Sequence, residues 1–225
     1  MNPIAENLKK LLSEIPPQVK LVAVSKFKTN EQVLEAYDAG QRAFGENIVQ
    51  ELVKKHEALT KDIEWHLIGH LQTNKVKYIA PFVSMIHSVD SIKLLEEINK
   101  RAAQHNRTID CLLQIHIAKE ETKFGLSFEE AESILHLPEL KNFQNIRISG
   151  LMGMATNIED GRWKMEDGKN LVRNEFHSLK NFFNVQCAMC NVQFLSMGMS
   201  SDYKIAIEEG SNMIRVGSVI FGERI

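Results

Sequence analysis

A lysine at the end of a buried strand, an arginine in another strand, and serines beside a glycine are the residues here that could do chemistry. Lys26 follows the apolar run Leu21-Val22-Ala23-Val24-Ser25, which reads as a strand buried on both faces. An ammonium in that place either snorkels into water or serves a site. If burial or a neighbouring cation lowers its pKa, its amine becomes a nucleophile that can condense with an aldehyde. Arg215 ends a second apolar run with Val216-Gly217-Ser218, and Ser200-Ser201 precede Asp202 in a third region. Hydroxyls and an unhindered glycine backbone suit a phosphate dianion, although a serine pair ahead of Asp202 also reads as a simple helix N-cap.

These residues are far apart in sequence, so the elements must bring them together. Eight short β-branched runs alternate with amphipathic stretches: residues 21–25, 42–45, 63–68, 85–89, 111–117, 146–152, 194–197 and 213–216. Helices are expected over 31–39, 49–59, 91–104, 128–135, 174–183 and 201–209. Gly40 and Gly210 suit left-handed C-terminal caps, and Thr29 or Asn30, Ser91 and Ser127 suit N-caps. Eight β/α units imply parallel strands with right-handed crossovers, closed as a single-domain (β/α)₈ barrel over residues 1–225. The rival, an open doubly wound sheet, calls for a glycine-rich turn after the first strand, where Ser25-Lys26-Phe27-Lys28 stands instead.

In such a barrel the loops at the C-terminal strand ends build the site. Closure makes the first and last strands neighbours, which brings Lys26 towards Arg215, with Ser200, Ser201, Gly217 and Ser218 as a phosphate nest. An amine for an aldehyde, a partner for a ring nitrogen and a cradle for a phosphate are what pyridoxal 5′-phosphate (PLP) requires. Other candidates carry less. His66 and His70 are read as sharing one strand face without a third metal ligand. Glu46 and Asp202 fit acid, base or loop-orienting roles, and Met152, Met154, Met197 and Met199 fit packing. Cys187 and Cys190 have redox or zinc half-site spacing with no second pair, so a structural reading is preferred. The polar stretch 157–173 is expected to be a long surface loop, with Trp163 as the anchor of a lid or a plain solvated insertion.

Composition narrows the partners. The 225 residues carry 27 Lys plus Arg against 29 Asp plus Glu, a net −2, so nothing favours nucleic acid or an anionic membrane. There is no apolar leader at the N-terminus and no run long enough to span a bilayer, and three cysteines suit a reducing compartment. A cytoplasmic location is expected.

Ala23-Val24-Ser25-Lys26, Phe44-Gly45-Glu46-Asn47, Trp65 to Lys75, Ile86 to Asp90, Gly150-Leu151-Met152, Leu195 to Asp202 and Arg215 to Gly222 run in order along the chain. Together they resemble the signature blocks of the pyridoxal phosphate homeostasis proteins (YggS/PROSC type). The resemblance implies a PLP barrel of fold type III, similar to the N-terminal domain of alanine racemase. It also implies a Schiff-base (internal aldimine) lysine at Lys26, a ring-nitrogen contact at Arg215 and phosphate contacts at Ser200 or Ser201, Gly217 and Ser218. Asn47 and His70 match positions near the cofactor. Phe27 and Ser218 depart from the family, in which many members have Thr at both positions.

The function so implied is vitamin B6 homeostasis: storing, buffering and delivering PLP, with apo PLP enzymes as possible recipients. Efficient catalysis is not expected. The chain ends just after its eighth strand, without the C-terminal β-domain that supplies a second acid/base and a dimer contact in racemases, so a monomer is expected. Arg215 on the pyridine nitrogen would also weaken the ring as an electron sink. The alternatives are a PLP-dependent amino-acid racemase working through Lys26, and a sugar-phosphate aldolase that forms its imine with substrate and uses no cofactor.

Overall fold

The computed structural model describes residues 3–158, 165–190 and 192–223, without the side chains of Met165, Cys187 and Met189. Its strands are β1 (Lys20–Val24), β2 (Ala43–Glu46), β3 (Glu64–Leu67), β4 (Met85–Val89), β5 (Ile109–Ile115), β6 (Ile146–Gly153), β7 (Phe194–Ser196) and β8 (Met213–Val216). All pair in parallel and in sequence order, and β8 returns to β1 with Val22 opposite Arg215. The sheet is therefore a closed barrel, and the open-sheet rival is excluded.

Helices cover the outside: α1 (Pro3–Glu14), α2 (Asn30–Asp38), α3 (Val49–Ala58), α4 (Val76–Ile79), α5 (Ile92–Ala103), α6 (Phe128–Leu135), α7 (Met165–Cys190), α8 (Tyr203–Glu208) and α9 (Ser218–Phe221). The punctuation works as chemistry dictates. Thr29 with Gln32 and Ser127 with Glu130 form capping boxes, Ser91 caps α5, and Gly40 and Gly210 take φ of 104° and 91°. Among the described residues no helix is long and apolar enough to cross a membrane.

Alternation along the strands sorts side chains into two cores. Phe44, Trp65, Leu67, Ile86 and Leu113 face the helices, whereas Val22, Ala43, Met85, Leu112, Met152 and Met213 fill the barrel interior. The same period puts Val22, Val24 and Lys26 on the inner side, so the run that buries the strand also delivers its lysine to the barrel mouth.

Beyond the short helices α4 and α9, which are not among the expected ones, two larger stretches differ from the sequence reading. The N-terminal stretch forms α1, whose buried Ile4, Leu8 and Leu11 recur at helical spacing and whose Asn7 Nδ2 donates to Ile220 O at 3.1 Å. The expected loop over 157–173 is helical from Met165 onward. Buried Val172, Phe176, Leu179 and Phe183 hold α7 to the barrel, and Arg173 pairs with Glu208 of α8 and with its C-cap Glu209 at 2.5 and 2.6 Å. The first turns of α7 bury little, so their polar sequence cannot be told from a loop by periodicity. The lid reading centred on Trp163 lies outside the described residues.

Candidate functional site

Lys26 occupies a tight turn at the mouth. Lys28 N donates to Ser25 O at 3.0 Å, and Phe27 has φ of 61°, a left-handed backbone that costs a bulky residue about 1 kcal/mol or more. A buried ionic cluster holds the turn from both sides. Lys55 Nζ of α3 donates to Ser25 O at 2.6 Å, to Glu46 Oε1 at 2.7 Å and to Glu51 Oε1 at 2.8 Å. Ser25 Oγ donates to Glu46 Oε1 at 2.6 Å, and Phe27 N donates to Glu51 Oε1 at 2.7 Å. Strand alternation turns Glu46 outward, away from the cleft. Burial pushes its carboxyl above the usual range, and the Lys55 ammonium opposes that shift. Glu46 thus orients the Lys26 turn.

Because Lys55 and Glu46 are both buried, removing the cation leaves a carboxylate with no counter-charge. Lys55→Met is expected to cost about 3–5 kcal/mol, read as a drop in urea midpoint at constant m-value. A loss below about 1 kcal/mol would mean that the cluster behaves like a surface ion pair.

Above the turn lies a cleft of about 420 Å³. Lys26, Asn47, Ser200, Ser201, Arg215, Gly217 and Ser218 all line it, with Lys28, Met154 and Met199 among the other walls. Asn47 is brought in by a close loop approach: a Cβ on Gly69 would lie 2.4 Å from Asn47 O, so only glycine fits there. Ser200 Oγ accepts from Gly217 N at 3.1 Å and so ties the loop after β7 to the end of β8. The serine pair is not an N-cap. Asp202 occupies that position, and its Oδ1 accepts from Met199 N at 2.5 Å, which makes Asp202 a loop-orienting residue as well.

Arg215 is only 3% exposed. Its Nη1 donates to Ser196 O and Ser196 Oγ at 2.8 and 2.7 Å, and its Nη2 donates to Gly153 O at 3.0 Å. Burial pulls its pKa down to about 10, so it remains a cation at neutral pH. A guanidinium has five N–H donors and no acceptor, which leaves donors for a ligand in the cleft that Arg215 lines.

His70 does not line the cleft. Its Nδ1 is 3.3 Å from Asp90 Oδ2, and its ring stacks on Phe124 at 4.1 Å between centroids. His66 and His70 do not share a strand face either. His66 points into the barrel while His70 lies beyond the end of β3, and no metal-holding group is found among the described residues. Cys111 and Cys190 are free thiols, and the side chain of Cys187 lies outside what is described.

Lys55, Glu51, His87 and Ser196 carry the architecture of the site, yet sequence reasoning gave them no role. Glu51 and Lys55 have helical i,i+4 spacing, which ordinarily marks an exposed pair.

The chain matches the family described as "Alanine racemase, N-terminal domain" over residues 1–225. It is 41% identical over 212 residues to the pyridoxal phosphate homeostasis protein of Aquifex aeolicus, covering 91% of this chain and 87% of that one. PipY of Synechococcus elongatus, in a structure with PLP bound, superposes with a TM-score of 0.85 at 37% identity, over 97% of this chain and 100% of that chain. An alanine racemase of Clostridium difficile shares the fold, with a TM-score of 0.77 at 13% identity over 99% of this chain and 57% of the racemase.

Proposed function

The chain belongs to the alanine racemase N-terminal domain family and, within it, to the pyridoxal phosphate homeostasis proteins; from that footing we propose that it binds PLP in this cleft and serves PLP homeostasis. In this reading residues 1–225 act as one cofactor-binding domain, a cytoplasmic monomer that stores the cofactor on Lys26 and releases it to apo-enzymes. The observation that carries it is the meeting of Lys26, Arg215 and the Ser200, Gly217 and Ser218 group in one cleft.

The residues fit the group. PLP supplies an aldehyde that an amine can capture and a ring that can take up electrons. Lys26 is the amine, held at the mouth by the Lys55 cluster. Arg215 presents N–H donors to the ring nitrogen and, being a cation, opposes a proton there. Ser200, Ser201 and Ser218 offer hydroxyls to the phosphate, and Gly217 keeps the backbone open beside them. Met154 and Met199 supply apolar wall that excludes water.

The test is an absorbance titration of the purified protein with PLP, followed by timed transfer to an apo-enzyme and by α-proton exchange of amino acids in deuterated water. A lysine-bound PLP band, transfer, and exchange far below ~1 s⁻¹ are expected. A protein that develops no band on adding PLP overturns the reading, and exchange at that rate or faster turns it into the racemase.

A further inference from the structure

Below the cleft, inside the barrel, lies a line of polar side chains to which cofactor binding assigns no task. Ser196 of β7, His87 of β4 and His66 of β3 are all buried, beside the apolar interior formed by Val22, Met85, Leu112 and Met213. Arg215 Nη1 donates to Ser196 Oγ at 2.7 Å, Ser196 Oγ lies 3.2 Å from His87 Nδ1, and His87 Nε2 lies 2.8 Å from His66 Nδ1. The line thus starts at the guanidinium in the cleft wall and runs down the barrel.

Its direction follows from valence. A guanidinium only donates, so Ser196 Oγ accepts from it. The serine hydrogen then needs an acceptor, and His87 Nδ1 is the one its described contacts provide. His87 therefore carries its hydrogen on Nε2 and donates to His66 Nδ1, and His66 carries its own on Nε2. In the opposite polarity, with His87 Nδ1–H donating to serine, the hydroxyl hydrogen would be left without an acceptor among its described contacts, at about 1–3 kcal/mol. Both rings must be neutral for the chain to close.

We propose that His87, backed by His66 and acting through Ser196, is a positioning residue that fixes the Arg215 guanidinium in the cleft wall, by hydrogen bonds that all run from the arginine towards His66. Donating to His87 locks the serine hydroxyl rotor, so its lone pair stays aimed at Nη1. Each bond in such a chain polarises the next. The consequence for the cofactor rests on the reading above, in which Arg215 is a PLP contact; the direction of the chain does not.

Two sets of measurements keep these apart. Without PLP, long-range ¹H–¹⁵N correlations should show the Nε2–H tautomer at both His66 and His87, and the Arg215 guanidinium signals should be those of a group with hindered rotation. His87→Leu should speed that rotation, with the bonds to Ser196 O and Gly153 O remaining, whereas His87→Gln, which keeps one acceptor and one donor, should slow it again. With PLP, His87→Leu should weaken binding roughly three- to tenfold and shift the absorbance band, and His87→Gln should recover both. Should His87→Leu not fold, Ser196→Ala carries the same readouts. An Nδ1–H tautomer at His87, or unchanged Arg215 signals in His87→Leu or Ser196→Ala, overturns the proposal. If wild-type protein takes up no PLP, the cofactor reading falls and the chain is still decided by the cofactor-free measurements.

Discussion

Lys26→Ala is expected to abolish the borohydride-reducible bond between the protein and PLP completely, with the thermal melt within a few degrees of wild type. Loss of a covalent link is all or none, which makes this the largest functional effect predicted here. The competing amine is Lys28, which lines the same cleft. Its Nζ is turned to the carbonyls of Phe221 and Gly222, at 3.3 and 3.2 Å, so it is held as a donor to backbone and away from an aldehyde. The fold should survive because the turn is held through Ser25 O and Phe27 N, which the substitution leaves in place. PLP would still reach the serines and Arg215, so weak reversible binding with a free-aldehyde spectrum is the expected residue. Borohydride trapping followed by peptide mapping checks it: a reduced adduct on Lys28 in the variant would remove Lys26 from its role.

How much of this was legible follows from which signals a parallel barrel leaves in its sequence. The eight runs and the order of elements could be read because each run is apolar and each helix is amphipathic. What alternation normally adds, the inner and outer face of each strand, was not readable, because both faces of a parallel strand are buried. Glu46 and His87 show the cost. Glu46 is an acid in a motif, but facing out to Lys55 it orients a turn, and His87, facing in, touches Ser196 beneath the cleft. His70 lies in a loop, where periodicity says nothing of direction, and its Asp90 partner draws it off the cleft. The gathering of Lys26 with Arg215 was readable, since closure alone makes β1 and β8 neighbours.

The two networks described above share a design. Each takes a strand-end basic side chain at the cleft, Lys26 or Arg215, and fixes its surroundings with buried or half-buried groups that do not themselves line the cleft. Glu46, Lys55 and Glu51 act from between barrel and helices, and Ser196, His87 and His66 from inside the barrel. Such supporting shells are costly unless every member is paired. A protonation that breaks the pairing should therefore be felt in global stability.

The barrel should accordingly lose stability steeply in mild acid. Burial holds His66 at a pKa of about 3, against an ordinary value of 6.5, and burial pushes His87 down as well, with His66, Arg215 and Lys20 opposing its charge. Lys20 opposes protonation of His66 too, and only Asp110 favours it. With the folded pKa depressed, the unfolded chain takes up the proton first. The contribution is fully present above pH 6.5 and is lost as pH falls from there towards 3. At pH 4.5 the His66 share is about 3 kcal/mol, at ~1.4 kcal/mol per unit, which is a large part of a typical ~5–15 kcal/mol total. His66→Gln isolates it, because the glutamine oxygen can still accept from His87 Nε2 while its side chain does not titrate. Urea unfolding at pH 7 and 4.5 should show wild type losing about 3 kcal/mol more than the variant. Equal losses would mean that His66 can be protonated inside the folded barrel, and the neutral chain beneath Arg215 would have to be redrawn.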